Sequence, residues 1–195
     1  MGNTKEEILT VALHLFARDG YEAVSVSRIA GELGMTKGAL YRHYQNKRDI
    51  FEHIVKRMEQ GDSDQAEKNN VPEEEMKKNP EKYQETTLKD FLEYSKSMFT
   101  YWTEDDFASS FRKMLTLEQF RNEEMQGLYQ QYLASGPVEY VKDLFRNMDI
   151  VDADYKAVRF YAIMYLYYSI YDGAQDKEKV IRQLETALNE MIKEF

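Results

Sequence analysis

Apolar residues at Ile8, Val11, Ala12, Leu15 and Phe16 recur every three or four positions, the spacing of one helical face. Thr4 and Glu7 stand where a capping box opens such a helix, and Gly20 stands where a left-handed end closes it. Ser25 is a good N-cap for a short helix bearing Ile29, Ala30 and Leu33, which Gly34 ends. Thr36 caps a third helix predicted over 37–44. Asn46 caps a fourth, with Asp49 three residues on and Ile50, Phe51, Ile54, Val55 and Met58 turned inward. The pattern then lapses. Gly61-Asp62-Ser63-Asp64 opens a polar stretch punctuated by Pro72 and Pro80, whose only large apolar residues are Val71, Met76 and Tyr83. Residues 61–87 therefore read as a polar mobile loop with a short exposed helix.

From Leu88 the helical spacing returns. Leu88, Phe91, Leu92, Ser95, Phe99 and Trp102 share one face, and Asp105-Asp106 opens a helix with Phe107, Phe111, Met114 and Leu115. Leu117, Phe120, Met125, Leu128, Tyr129 and Tyr132 predict a further helix. Gly136-Pro137 breaks it, with Pro137 as the first residue of the next, which carries Val138, Val141, Leu144 and Phe145. Residues 155–171 are apolar on nearly every side, and such a helix is buried all round. In a domain this small the simplest second surface is another copy of the chain. The alternative is that this helix and the terminal one, with Val180, Ile181, Leu184, Leu188 and Ile192, are core of a monomer.

The chain of 195 residues has no Cys, which excludes disulfides, thiolate metal sites and Cys nucleophiles. Nine Gly and three Pro are too few for a sandwich or barrel with many tight turns, so the class is all-α. The amino terminus is charged and lacks the apolar core of a secretory signal, and the longest apolar run, about 12 residues, is shorter than the roughly 20 that cross a bilayer. A soluble cytoplasmic protein with no membrane partner is expected. The net charge of −9 excludes a wholly basic nucleic-acid coat. It is unevenly spread: residues 1–58 carry +2 and the remainder −11, which points to a polyanion-facing head on an acidic body.

The run 29–47, Ile-Ala-Gly-Glu-Leu-Gly-Met-Thr-Lys-Gly-Ala-Leu-Tyr-Arg-His-Tyr-Gln-Asn-Lys, joins two short helices by a Gly turn, the form of a helix-turn-helix. It resembles the DNA-binding signature of TetR-type (TetR/AcrR-like) transcriptional regulators. Ala12, Leu15, Phe16, Gly20 and Tyr21 also suit that family's first helix. The resemblance implies an N-terminal three-helix helix-turn-helix head over 1–46, a connecting helix over 47–60, and a helical effector-binding and dimerisation domain over 88–195. It also implies that Ser25, Thr36, Lys37, Gly38, Tyr41, His43 and Lys47 occupy DNA-contact positions. The chemistry agrees. Small Gly38 and Ala39 let the third helix approach a groove, and its N-terminal Lys37 suits guanine or phosphate. Tyr41, His43 and Lys47 supply donors for phosphate. Arg28 and Arg42 are either base readers or solvated charges. Leu33, Leu40 and Tyr44 read as core, and His14 and His53 as structural or exposed.

The implied function is a repressor that holds a palindromic double-stranded DNA operator as a homodimer, through a seam of the last two helices, and is released by a small hydrophobic or aromatic effector. Fifteen Tyr, ten Phe and one Trp supply rings for an effector cavity. Tyr94, Phe99, Trp102, Phe111, Phe120, Tyr129, Tyr161, Tyr165 and Tyr168 are the candidate lining. Each ring taken singly reads more readily as core. The body's negative charge favours a neutral or cationic effector over an anionic one. The competing reading is an architectural DNA-binding dimer of the same fold, controlled by a protein partner. An enzyme finds little support, because the three His have no ligand spacing and no phosphate loop or nucleophile elbow is present. Neither a cofactor nor a metal is implied.

Overall fold

The computed structural model describes residues 4–72 and 78–195. Expectations that fall on residues 1–3 and 73–77, among them the form of the amino terminus and the place of Met76, lie outside the described residues. Among the described residues there are eleven helices and no strand. In order these are α1 (Thr4–Asp19), α2 (Val26–Glu32), α3 (Lys37–Leu40), α4 (Lys47–Lys68), α5 (Pro80–Glu85), α6 (Leu88–Glu104), α7 (Asp106–Glu118), α8 (Glu123–Leu133), α9 (Ser135–Asn147), α10 (Ala153–Gly173) and α11 (Lys177–Ile192).

The helices group into two compact units. One holds residues up to Gly61 together with Asp105–Tyr129; the other holds Asp62–Glu104 and Gln130–Phe195. In the first, α1 buries Ile8, Leu9, Ala12, Leu13, Leu15 and Phe16, and α7 packs against it with Phe111, Met114 and Leu115. The side chain of Asp105 caps α7 by accepting from the N–H groups of Phe107 and Ala108 at 3.0 and 2.8 Å. The Arg57 guanidinium lies 3.7 Å from the Phe107 ring centroid. This grouping differs from the sequence division, which assigned all of 88–195 to the body.

In the second unit α10 packs on α9, α11 and α6. Phe91, Phe145 and Phe160 meet at centroid distances of 4.9–5.9 Å and form its centre. Aromatic pairs at this range add roughly 0.5–1.5 kcal/mol each beyond the area they bury.

Three expectations are corrected. Residues 61–87 are not one loop: α4 runs on to Lys68, α5 is helical, and Ala66, Val71, Tyr83 and Thr86 are buried. Gly61 costs a helix only about 1 kcal/mol, so tertiary packing overrides the turn signal. The third helix is shorter than 37–44. Beyond Leu40 the N–H groups of Arg42 and His43 reach only three residues back, to Ala39 and Leu40, and the segment is a series of turns. Finally, α9 begins two residues before Pro137.

Candidate nucleic-acid interface and ligand cavity

Two side-chain caps set the head. Ser25 Oγ accepts from the Arg28 N–H at 3.2 Å, and Thr36 Oγ1 accepts from the Ala39 N–H at 3.2 Å. Between them Gly34, at φ +64°, makes the left-handed turn that other residues adopt at a cost. Leu40 and Tyr44 are buried, as their core reading expects, and the Tyr44 hydroxyl donates to the Lys5 carbonyl at 3.2 Å. The outward face of the turn is left to Lys37, Gly38, Tyr41 and Arg42, all exposed, with His43 half-buried beside them. The Lys37 ammonium sits 5.5 Å from the Tyr41 ring centroid. The Arg28 guanidinium is paired with Asp19 at 2.8 Å. Nothing inside the protein requires glycine at 38. A Cβ there would meet only Thr36 Oγ1, at 4.0 Å, which is ordinary contact.

Lys47 has an intramolecular task that its sequence position does not reveal. Its ammonium donates to the Tyr21 carbonyl at 2.9 Å and lies 4.2 Å from the Tyr21 ring centroid, with Glu22 at 3.7 Å. From the other side the Tyr21 N–H donates to Glu118 Oε1 at 3.0 Å, and Glu118 is only 2% exposed. The chain between α1 and α2 is thus held at both backbone groups of one residue. Burial pushes the Tyr21 phenol above its usual pKa. Lys47→Met should therefore cost about 1 kcal/mol of stability, the worth of a typical hydrogen bond, besides any effect on DNA. Urea unfolding measures this. A variant as stable as the parent would show that the Tyr21 tether contributes nothing in solution. No pattern in the sequence marks Glu118 as the partner of Tyr21, and none marks the pairing of Arg48 with Glu124 on α8, where Nη2 and Oε1 are 2.5 Å apart.

The second unit contains a cavity of about 880 Å³, large enough for a drug-sized molecule. Its walls come from α4, α5, α6, α9, α10 and the end of α8. Four of the nine proposed rings line it: Tyr94, Trp102, Tyr161 and Tyr168. Five do not. Phe99 is buried beneath, stacked on Tyr168 at 5.2 Å. Phe111 and Tyr129 are buried in the first unit. Phe120 is 87% exposed in the turn after α7, and Tyr165 is 48% exposed on α10. A helical period gives the face a ring occupies but not which helix meets that face, so these could not be sorted from spacing. The sequence reading missed Tyr83, Phe91, Tyr132, Tyr140 and Phe160 among the lining rings, and also Asp62, Glu139, Asp143 and Arg146. Tyr83 was overlooked because the segment around it read as loop.

Helix α10 has two apolar faces of different fate. Ala157, Phe160, Tyr161, Met164, Tyr168 and Tyr171 are buried, whereas Val158, Tyr165, Leu166 and Ile170 are exposed. On α11 the exposed positions are polar: Glu178, Lys179, Arg182, Gln183, Thr186 and Glu190. Among the described residues no helix is long and apolar enough to cross a membrane.

Residues 8–54 match the family described as bacterial regulatory proteins, tetR family. Over 51 residues the chain is 43% identical to the HTH-type transcriptional regulator AcrR of Shigella flexneri, a match covering 26% of this chain and 24% of that protein. The chain thus matches about a quarter of that relative's length. In fold the likeness is chain-wide. A TerR/AcrR-family transcriptional regulator from Aquifex aeolicus superposes with a TM-score of 0.72 over 96% of this chain and 98% of its own, at 17% identity. SmeT in complex with triclosan gives 0.68 over 98% and 91%, at 18% identity; SmeT is the repressor of the Stenotrophomonas maltophilia multidrug efflux pump SmeDEF. Over residues 8–54 the sequence of the head is thus similar to bacterial regulatory proteins of the tetR family, and over the whole chain the fold is that of these TetR/AcrR-type structures.

Proposed function

We propose that the chain is a transcriptional repressor that binds a palindromic operator as a homodimer and is released by a small hydrophobic or aromatic effector held in the second unit's cavity. The observation that carries the DNA half is the capped turn of α2 and α3, whose outward face leaves Lys37, Gly38, Tyr41 and Arg42 to solvent. In this reading Lys37 and Arg42 read base edges, while Ser25, Thr36, Tyr41, His43 and Lys47 position phosphates. Arg28 contributes once Asp19 yields it. Gly38 is there for the DNA, since the protein's own packing would accept a methyl group.

The exposed apolar stripe of Val158, Tyr165, Leu166 and Ile170 on α10 supports the dimer, because surfaces of that kind are normally covered. The aromatic cavity supports control by a small molecule rather than by a protein partner, and SmeT, of the same fold, is a repressor that takes one such molecule. The effector acts only through its different affinity for DNA-competent and DNA-incompetent states. A coupling of about 1–3 kcal/mol weakens operator binding by roughly 5–150-fold.

The test is Gly38→Ala, on DNA selected by the parent chain from a random pool. The variant should keep its stability within about 0.5 kcal/mol, because Ala is the better helix former. It should bind the selected DNA at least tenfold more weakly, as expected when about 1–3 kcal/mol of base contact is lost. Binding as tight as the parent's would mean that α3 does not enter a groove.

A further inference from the structure

The two cations that open α4 are not equally available. The Lys47 side chain is 22% exposed, and its ammonium already donates to the Tyr21 carbonyl, with Glu22 at 3.7 Å. The Arg48 side chain is 50% exposed, and its hydrogen bonds go to carboxylates. Its Nε donates to Glu52 Oε1 at 2.8 Å, one turn along the same helix. Its Nη2 donates to Glu124 Oε1 at 2.5 Å, and its Nη1 donates to Glu124 Oε2. The fork thus meets Glu124 with both arms, the geometry in which a guanidinium also takes a phosphate.

Glu124 is placed for this contact. Asn122 Oδ1 accepts from the N–H groups of Glu124 and Met125 at 2.9 and 3.2 Å, which fixes the first turn of α8. The hydrogen bonds from Arg48 hold the Glu124 carboxyl below its usual pKa, so the pair is charged on both sides at neutral pH. All of these residues belong to the first unit. With both its arms on Glu124, the guanidinium has to give up one anion before it can take another. An ion pair as exposed as this one opens at little cost, so the exchange is reversible.

We propose that Arg48 is a further phosphate ligand of the head, and that Glu124 is a positioning residue that holds it in reserve, so that DNA exchanges a backbone phosphate for the Glu124 carboxylate. This rests on the DNA-binding reading above and adds to that interface. Its consequence is a damped response to salt. A cation that meets a phosphate releases a counterion from the duplex. When that cation is taken from Glu124, the bared carboxylate stands beside the backbone and draws cations back. Glu124 therefore weakens backbone binding at every sequence alike and leaves discrimination to the base contacts.

The test uses the full chain over a range of salt concentrations, with the duplex selected by the parent and a scrambled duplex of the same composition. Glu124→Gln should tighten binding to both several-fold and leave their ratio unchanged. It should also steepen the fall of log K with log salt by up to about 0.9 for each head. A brace that only held the head in shape would act in the opposite direction, since its loss would weaken binding. Glu123→Gln removes an equal charge from an exposed position in the same turn without freeing Arg48, and screening should keep its effect below about twofold. In the Arg48→Met background Glu124→Gln should lose its effect. Urea midpoints show that each variant is folded. If Glu124→Gln leaves affinity and slope unchanged or weakens binding, the proposal is overturned while the DNA reading stands. The same holds if Glu123→Gln gives an equal gain or if the gain survives Arg48→Met. If the parent selects no DNA from the pool, the DNA reading falls and the proposal falls with it.

Discussion

Leu166→Arg is expected to leave each chain folded and to abolish tight binding to the selected DNA. Leu166 is 57% exposed and lies on the outward stripe of α10 with Val158, Tyr165 and Ile170. The chain's own core does not depend on it, so urea unfolding at low protein concentration should change by less than about 0.5 kcal/mol. In a two-fold seam the substitution acts twice, because an isologous interface meets its own copy and would bury two guanidinium groups without partners. The variant should sediment near 23.1 kDa, the mass of one chain, where the parent sediments near twice that. Operator affinity should drop by a hundredfold or more, on the order expected when a second binding event stops being intramolecular. A variant that still sediments as a dimer and still binds DNA would show that the stripe is not the seam.

Gly20→Ala should be the most damaging single methyl group in the first unit, lowering stability by about 2–3 kcal/mol. Gly20 sits at φ +89°, in the left-handed region that costs a side-chain-bearing residue roughly 1–2 kcal/mol. A Cβ there would also stand 2.8 Å from both Glu118 Oε1 and Arg121 Nη1. Arg121 is exposed and can swing away. Glu118 is buried and already accepts the Tyr21 N–H, so displacing it breaks that bond at a cost of about 1 kcal/mol. Gly127→Ala on α8 is the matched control. No atom lies within 4 Å of its added Cβ, and helix propensity favours the change by about 0.5–1 kcal/mol. Urea midpoints of the two variants should move in opposite directions. Equal midpoints would mean that the α1–α2 junction tolerates what its geometry forbids.

Much of the head was legible in the sequence because its signals are local. The Ser25 and Thr36 caps, the Gly34 turn and the inward Tyr44 each declare themselves within a few residues. The Asn46–Asp49 cap is of the same kind: Asn46 Oδ1 accepts from the Asp49 N–H at 2.9 Å, and Asp49 Oδ2 accepts from the Gln45 N–H at 2.7 Å. Helix α10 was legible only in part: apolar residues on nearly every face predicted burial all round, whereas Phe160, Tyr161, Met164 and Tyr168 are buried and Val158, Tyr165, Leu166 and Ile170 are exposed in the single chain. The cavity was legible only as a quantity of aromatic residues. Its location depends on which helices face one another over long stretches of chain, and a ring such as Phe111 looks the same in sequence whether it meets a guest or the core. The segment 61–72 misled for a related reason: its polar residues end a helix by propensity, while Ala66 and Val71 anchor it through contacts that propensity does not contain.

The brevity of α3 sets a limit on discrimination. Four residues make one turn of helix, so each head presents few side chains to base edges. If one turn specifies about four base pairs, such a half-site recurs by chance every ~250 base pairs, and a genome of a few million base pairs would hold on the order of ten thousand copies. Two half-sites at a fixed spacing specify about eight, and chance occurrences fall to roughly one in 65,000. In the proposed dimer, selectivity would then be largely a property of the spacing between two heads rather than of either one. A ligand that altered that spacing would erase the address without touching a single base contact.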